Sequence, residues 1–181
     1  MVKRGDRGYV LIILMMVVFI LAIALTVAVP VLETELRREK EEELIFRGRQ
    51  YVEAVRLYQT KNPGRFPTSL KELLDKGFLR RLYPDPMTAS GEWDVVLDPG
   101  GQAGAEAGGT RQVLVAPLSA LGSVQNPIVL GVVSSSTKTS IRLYEDQDRY
   151  DKWLFYYGHD PASQPKIVHL GGEEEEKGEG S

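Results

Sequence analysis

The sequence predicts an α+β protein in which a long N-terminal transmembrane helix continues into an amphipathic helix packed on a small antiparallel β-sheet. Three observations predict this fold class. The twenty residues 10–29 carry no charge. Residues 32–58 continue with a helical pattern. Six short apolar runs follow, separated by turn residues, which is typical of a sheet of short strands.

The uncharged run 10–29 has the length of a transmembrane helix. At about 1.5 Å per residue it would span about 30 Å, the thickness of a bilayer core. Residues 1–8 carry three cations and one carboxylate, whereas residues 31–43 carry six carboxylates and three cations. This asymmetry predicts a cytoplasmic N-terminus. The alternative is a cleaved secretory signal ending near residues 22–24, but the apolar run continues past them without a polar break.

The second half of the predicted helix needs a partner surface on one side. Apolar or small side chains recur there at steps of three and four residues: Leu44, Gly48, Tyr51 or Val52, Val55 and Tyr58. Residues 62–64, Asn-Pro-Gly, end this helix. Ser69 and Glu72 then have the spacing of a capping box, which predicts a short second helix closed by Gly77.

The six apolar runs predict the strands of the sheet. They occupy residues 93–97, 113–116, 128–133, 141–144, 153–157 and 167–170. Residues 99–109 contain five glycines and match no complete phosphate-binding motif, so we expect a mobile loop there. The glycine- and glutamate-rich segment from residue 171 is expected to be disordered and exposed.

The composition excludes several kinds of chemistry. The chain has no cysteine, which removes disulfides, thiolate catalysis and cysteine-bound zinc. Its net charge of −3 and the acidic run 173–176 do not favour nucleic acid as a partner. His159 and His169 are the only histidines and are expected to be structural or surface residues. Residues 134–136, three serines, lack a nucleophile-elbow pattern, so no enzyme activity is expected.

Three aspartates close together offer oxygen ligands of the kind that calcium prefers. They are Asp146, Asp148 and Asp151. The twelve-residue calcium loop pattern is absent, so a solvated turn is favoured over a calcium site, and no metal or other cofactor is predicted.

The start of the chain resembles the class III signal of type IV pilins and type II secretion pseudopilins. The basic leader ends in Gly8, the aromatic Tyr9 follows, and Pro30 is the twenty-second residue counted from Tyr9. The stretches 65–70 and 79–88 also look like the Pro-Thr-x-x-x-Leu and Asp-Pro elements of the major pseudopilin group. The resemblance implies cleavage between Gly8 and Tyr9 by prepilin peptidase, followed by methylation of Tyr9.

The resemblance also implies a pilin-like fold and a place in a filament that supports protein export. The implied parts are a leader at 1–8, a transmembrane and assembly helix at 9–30, its extramembrane part at 31–62, a periplasmic α+β domain at 63–170 and a tail at 171–181. The implied assembly surface comprises Leu11, Ile12, Ile13, Leu14, Val17 and Leu21. The implied partners are other pseudopilin or pilin subunits, prepilin peptidase, an inner-membrane assembly platform with its ATPase, and membrane lipid. The implied location is the bacterial inner membrane, as a single-pass protein.

Three points stay open at this level. The family usually has Glu at the fifth mature position, where this chain has Ile13, so major or minor rank and methylation are not decided. Pro30 removes a helical hydrogen bond and predicts either a tolerated kink or a hinge. The alternative function is a single-span envelope protein whose periplasmic domain binds a ligand or partner and which does not enter a filament.

Overall fold

The computed structural model describes residues 6–99, 112–160 and 164–170, and excludes the side chains of residues 6–8 and 25–32. The predicted tail, most of the predicted leader and the glycine-rich loop from residue 100 lie outside these residues. The chain divides into two compact units, Met1–Glu39 and Lys40–Ser181. The helices are α1 (Asp6–Lys61) and α2 (Leu70–Asp75).

The transmembrane part of the predicted fold is wrong. Among the residues that the structure describes, no helix is both long and apolar enough to cross a membrane. The predicted single-pass location in the inner membrane, with a cytoplasmic N-terminus and a periplasmic domain, is therefore contradicted as well.

The α+β class is correct for the second unit, but its main sheet is mixed rather than antiparallel. The strands are β1 (Trp93–Leu97), β2 (Gln112–Pro117), β3 (Val129–Ser134), β4 (Thr139–Tyr144), β5 (Gln147–Arg149), β6 (Phe155–Tyr156) and β7 (Lys166–His169). Five of them form one sheet in the order β6-β3-β1-β2-β7. The pair β2 and β7 is parallel, whereas the other pairs of this sheet are antiparallel. Strands β4 and β5 form a separate hairpin.

The apolar stripe of α1 packs in the core of the second unit, as the sequence predicts. Leu44, Tyr51, Val55 and Tyr58 are buried in one cluster with residues of the sheet. Gly48 lies within the stripe, where an added Cβ would come 2.3 Å from the ring of Phe155. Glycine therefore lets the helix approach the strand that carries this ring.

The sheet buries apolar side chains on its other face as well. A second cluster contains Val96, Val113, Val115, Leu130 and Val133. Because neighbouring residues of a strand point to opposite faces, strands β1, β2 and β3 contribute to both clusters. This explains why 93–97 and 128–133 read as compact apolar runs rather than as strictly alternating patterns.

The predicted N-cap of α2, Ser69, is confirmed, whereas the Glu72 carboxylate bonds the amide one residue before the cap. The Ser69 side chain accepts a hydrogen bond from the Glu72 amide at 3.2 Å, and the Glu72 carboxylate accepts one from the Thr68 amide at 2.7 Å. Gly77 follows the helix with φ of 75°, the left-handed conformation that favours glycine after a helix end.

Glu72 also links α2 to α1, and this link makes stability depend on pH. Its carboxylate accepts hydrogen bonds from the Tyr58 hydroxyl at 2.8 Å and from Lys76 Nζ at 2.6 Å. Burial raises the pKa of Glu72, but the bonds from Lys76, Thr68 and Tyr58 outweigh it and lower the pKa from 4.5 to about 2. Because the folded-state pKa is the lower one, the stabilisation is complete above about pH 4.5 and is lost as the pH falls towards about 2.

We expect Glu72→Gln to lower the free energy of unfolding at pH 7 by about 1–2 kcal/mol. The variant should also lose less stability than the parent chain between pH 4.5 and pH 2, since it has no carboxylate to protonate. Urea unfolding followed by circular dichroism at several pH values measures both effects. Glu92→Gln, at an exposed position, is the matched control. Equal acid sensitivity of Glu72→Gln and the parent chain would contradict the assignment.

Candidate functional site

The described part of α1 in the first unit carries a surface of exposed apolar side chains. We call residues 9–24 the apolar helix surface. Its large side chains are between 43% (Ile13) and 69% (Met15) exposed. Sixteen consecutive apolar residues at 3.6 per turn cover the whole circumference of a helix. A continuous exposed apolar surface of this kind marks a site of interaction with another molecule.

All six residues of the predicted assembly surface belong to the apolar helix surface. They are Leu11, Ile12, Ile13, Leu14, Val17 and Leu21, and each is exposed. Their position is therefore consistent with contact to another molecule. No side chain of the described apolar helix surface carries a charge. Any such contact therefore depends on complementary shape and on the burial of apolar area.

The predicted processing site, Gly8 and Tyr9, lies in the described part of α1 (Asp6–Lys61). Tyr9 is exposed. Pro30 lies within α1, but its side chain is outside the described residues, so the hinge stays a prediction.

The three aspartates of the calcium hypothesis are not gathered into one site. Asp146 occupies the turn between β4 and β5 with φ of 61°, whereas Asp151 pairs with Arg149 at 2.5 Å. Within the described residues, no group of three acidic or histidine side chains could hold a metal ion. Asp146 belongs to a turn, Asp148 to β5 and Asp151 to an ion pair.

The two histidines have different surroundings. His159 Nε2 is hydrogen-bonded to the Glu145 carboxylate, and its ring meets the edge or face of Tyr156 at 4.8 Å between centroids. His169 ends β7 and pairs with Val115 of β2. The contacts of His159 hold the β4–β5 turn against the chain that follows β6.

The most buried carboxylate among the described residues of the second unit is Glu41, which the sequence did not single out. Glu41 is 0% exposed and accepts hydrogen bonds from the amides of Ile141 and Arg142 at 2.6 and 3.3 Å. The Tyr150 hydroxyl donates a third bond at 2.8 Å. Glu41 lies three residues before Leu44, so it occupies the next position of the stripe that runs from Leu44 to Tyr58. This spacing is the one feature of the sequence that indicates its burial.

A second buried carboxylate fixes the segment that precedes β1. Asp85 accepts hydrogen bonds from the Ser134 hydroxyl at 2.6 Å and the Met87 amide at 2.8 Å. Burial raises the pKa of Asp85 and these bonds oppose the rise. Ser134 Oγ in turn accepts from the Ser136 amide at 3.2 Å. The serine run therefore anchors Asp85.

Tyr51 fixes the same segment to α1. Its hydroxyl donates to the Tyr83 carbonyl and accepts from the Tyr83 amide, both at 2.9 Å. The Trp93 indole donates to the same carbonyl at 2.8 Å. Burial raises the pKa of Tyr51 to about 12, so this hydroxyl remains a neutral donor at physiological pH.

The buried polar groups of Glu41, Asp85 and Tyr51 therefore hold elements of the second unit together. The apolar helix surface is the longest run of exposed apolar side chains among the described residues. It is therefore the candidate functional site. Comparison with known proteins found no family model, no curated protein and no solved structure that matches this chain.

Proposed function

We propose that this chain is a structural subunit of a type II secretion or type IV pilus-like filament that supports protein export. The chain assembles by packing its apolar helix surface against the equivalent helices of neighbouring subunits. The observation that carries the proposal is the exposure of every large side chain of residues 9–23. The pilin-like leader and Pro30 spacing support the same interpretation.

Burial of this surface offers a large driving force. A Val, Leu, Ile, Met or Phe side chain contributes about 1.5–3 kcal/mol when it is fully buried. Six such residues form the proposed assembly surface, so the gross gain is about 9–18 kcal/mol. Only part of this appears as affinity, because association costs translational and rotational freedom. The free energy that remains still favours repeated lateral packing of these helices.

The second unit does not need the apolar helix surface for its own core. Its main cluster begins at Leu44 on α1 and is completed by residues of α2 and the sheet. A subunit with this organisation can exchange helix neighbours without unfolding its domain. Energy for assembly would come from a separate ATPase and assembly platform, since the sequence has no nucleotide-binding motif.

Cysteine crosslinking tests the proposal directly because the chain contains no cysteine. We expect Leu14→Cys combined with Leu21→Cys to give a ladder of dimers, trimers and larger species on mild oxidation in cells that contain the secretion machinery. The matched control is Phe46→Cys with Leu57→Cys, which places the pair at exposed apolar positions of α1 in the second unit. Monomers from the first pair, or equal ladders from both, would reject assembly through the apolar helix surface.

Processing is tested separately by mass spectrometry of the intact chain. In cells that contain prepilin peptidase, we expect the mass of residues 1–8 to be lost. Full retention of these residues would contradict membership of a pilin-like filament, whatever the crosslinking result.

A further inference from the structure

The second unit carries a strongly basic surface. The exposed cations between the end of α1 and Tyr83 are Lys61, Arg65, Lys71, Lys76, Arg80 and Arg81. Glu72 and Asp75 are the only carboxylates in residues 61–81, so this segment has a net charge of +4 in a chain whose total is −3. We call the six cations the basic surface.

Two of these cations lie beside one pair of aromatic rings. Tyr58 and Phe78 have their centroids 5.3 Å apart. Lys61 Nζ lies 5.6 Å from the Phe78 ring, and Lys76 Nζ lies 5.0 Å from the Tyr58 ring. Lys61 and Lys76, fifteen positions apart in sequence, therefore lie beside the same ring pair.

Arg65 joins the same region through its backbone. The Arg65 carbonyl accepts a hydrogen bond from the Gln59 side chain at 2.6 Å, and its amide donates to the Asn62 carbonyl at 3.0 Å. Both bonds hold it beside the last turn of α1. Glu72, one of the two carboxylates, is bonded to Lys76, Thr68 and Tyr58. It therefore offsets the charge of Lys76 and leaves the other five cations without this carboxylate as a partner.

We propose that the acidic segment 171–181 of the same chain docks on the basic surface. This segment contains five glutamates and one lysine, a net charge of −4, which matches the charge of residues 61–81 with opposite sign. Two glycines separate Leu170 from the first glutamate. The inference does not depend on filament assembly.

The sheet register shows that the segment can reach this surface. Val129, Leu97, Leu114 and Val168 lie side by side across four strands, which at about 4.8 Å per strand separates the outer two by about 14 Å. The Pro67 carbonyl accepts from the Val129 amide on the far side of β3, so residues 65–67 are about 20 Å from β7. Eleven extended residues span up to about 36 Å.

Because the acidic segment belongs to the same chain, weak ion pairs are sufficient to hold it on the basic surface. An exposed ion pair contributes at most about 1 kcal/mol, so a free peptide of this composition would bind poorly. A short linker raises the effective concentration of the segment to the millimolar range. Several pairs can then hold it without a fixed structure, and salt should release it because exposed charges are screened.

Disulfide trapping in the full chain tests the proposal without removing any charge. Leu82→Cys lies beside Arg81 and is exposed, and Gly178→Cys lies within the acidic segment. The control pair joins Gly178→Cys to Thr137→Cys, an exposed position just after β3. The purified chain is kept dilute in uncharged detergent, and the intramolecular disulfide is measured by mass spectrometry over time.

We expect the Leu82 pair to close about tenfold faster than the control pair at low salt, and the difference to disappear at about 1 M salt. Replacement of residues 173–176 by glutamine should remove the difference as well. Equal rates in low salt, a preference that salt does not change, or failure of both pairs to close would overturn the proposal. Predominant disulfide-linked dimers would also overturn it, because they would place the segment on a second copy.

Discussion

Gly131→Ala is expected to destabilise the second unit by about 3 kcal/mol or more. A Cβ at this position would lie 1.9 Å from the Phe155 carbonyl oxygen and 2.6 Å from the Tyr156 Cα. Both neighbours are backbone atoms of β6, which pairs with β3 at this residue. The clash cannot be relieved by a side-chain rotation, so the two strands must separate.

The loss should spread beyond the strand pair, because β6 supplies a large side chain to each core cluster. Phe155 belongs to the cluster with α1, and Tyr156 belongs to the cluster on the other face. Urea unfolding of the detergent-solubilised chain, followed by circular dichroism and tryptophan fluorescence, measures the change. Gly122→Ala is the control, since nothing lies within 4 Å of its added Cβ. A loss for Gly131→Ala no larger than the control would refute the close approach.

Glu41→Gln is expected to cost about 3 kcal/mol. A glutamine side chain has one acceptor oxygen in place of two, and its amide group would face donors. At least one of the Ile141 amide, the Arg142 amide and the Tyr150 hydroxyl would lose its bond. The site is fully buried, so water cannot replace that bond without opening the structure.

The consequence of Glu41→Gln should be concentrated in the β4–β5 hairpin. We expect Glu41→Gln to increase the rate of hydrogen exchange more at the amides of Ile141 and Arg142 than at the amides of β1. Glu42→Gln is a stringent control because Glu42 is the next residue, its side chain is 64% exposed, and it contributes only a surface ion pair with Arg142. Similar exchange rates in the two variants would show that the buried bonds of Glu41 stabilise the hairpin no more than the surface ion pair of Glu42 does.

Local patterns account for the parts of the fold that were predicted correctly. The stripe from Leu44 to Tyr58, the N-cap at Ser69 and the strand at 93–97 each depend on neighbours within a few residues. The parallel pairing of β2 and β7 joins residues more than fifty positions apart, and no short-range pattern specifies which strands meet. Glu41 was missed because a carboxylate in a charged segment normally faces solvent.

The apolar run at residues 10–29 shows what hydropathy alone does not determine. Hydropathy identified residues 10–29 as unfavourable in water, and the described side chains at 9–24 are exposed in the isolated chain. Hydropathy alone does not say what covers such a surface, and the transmembrane interpretation is contradicted by the described helices. The processing site and Pro30 rest on the resemblance, since their local geometry carries no chemistry that could be recognised independently.

The contact at Gly48 has a consequence for how the second unit folds. Glycine in the middle of a helix costs about 1 kcal/mol relative to alanine, so residues around 48 form a poor helix by themselves. The same glycine is needed for Phe155 to enter the core. Helix and sheet thus each lack stability until the other is present, which favours a single cooperative transition over an intermediate with only the helix formed.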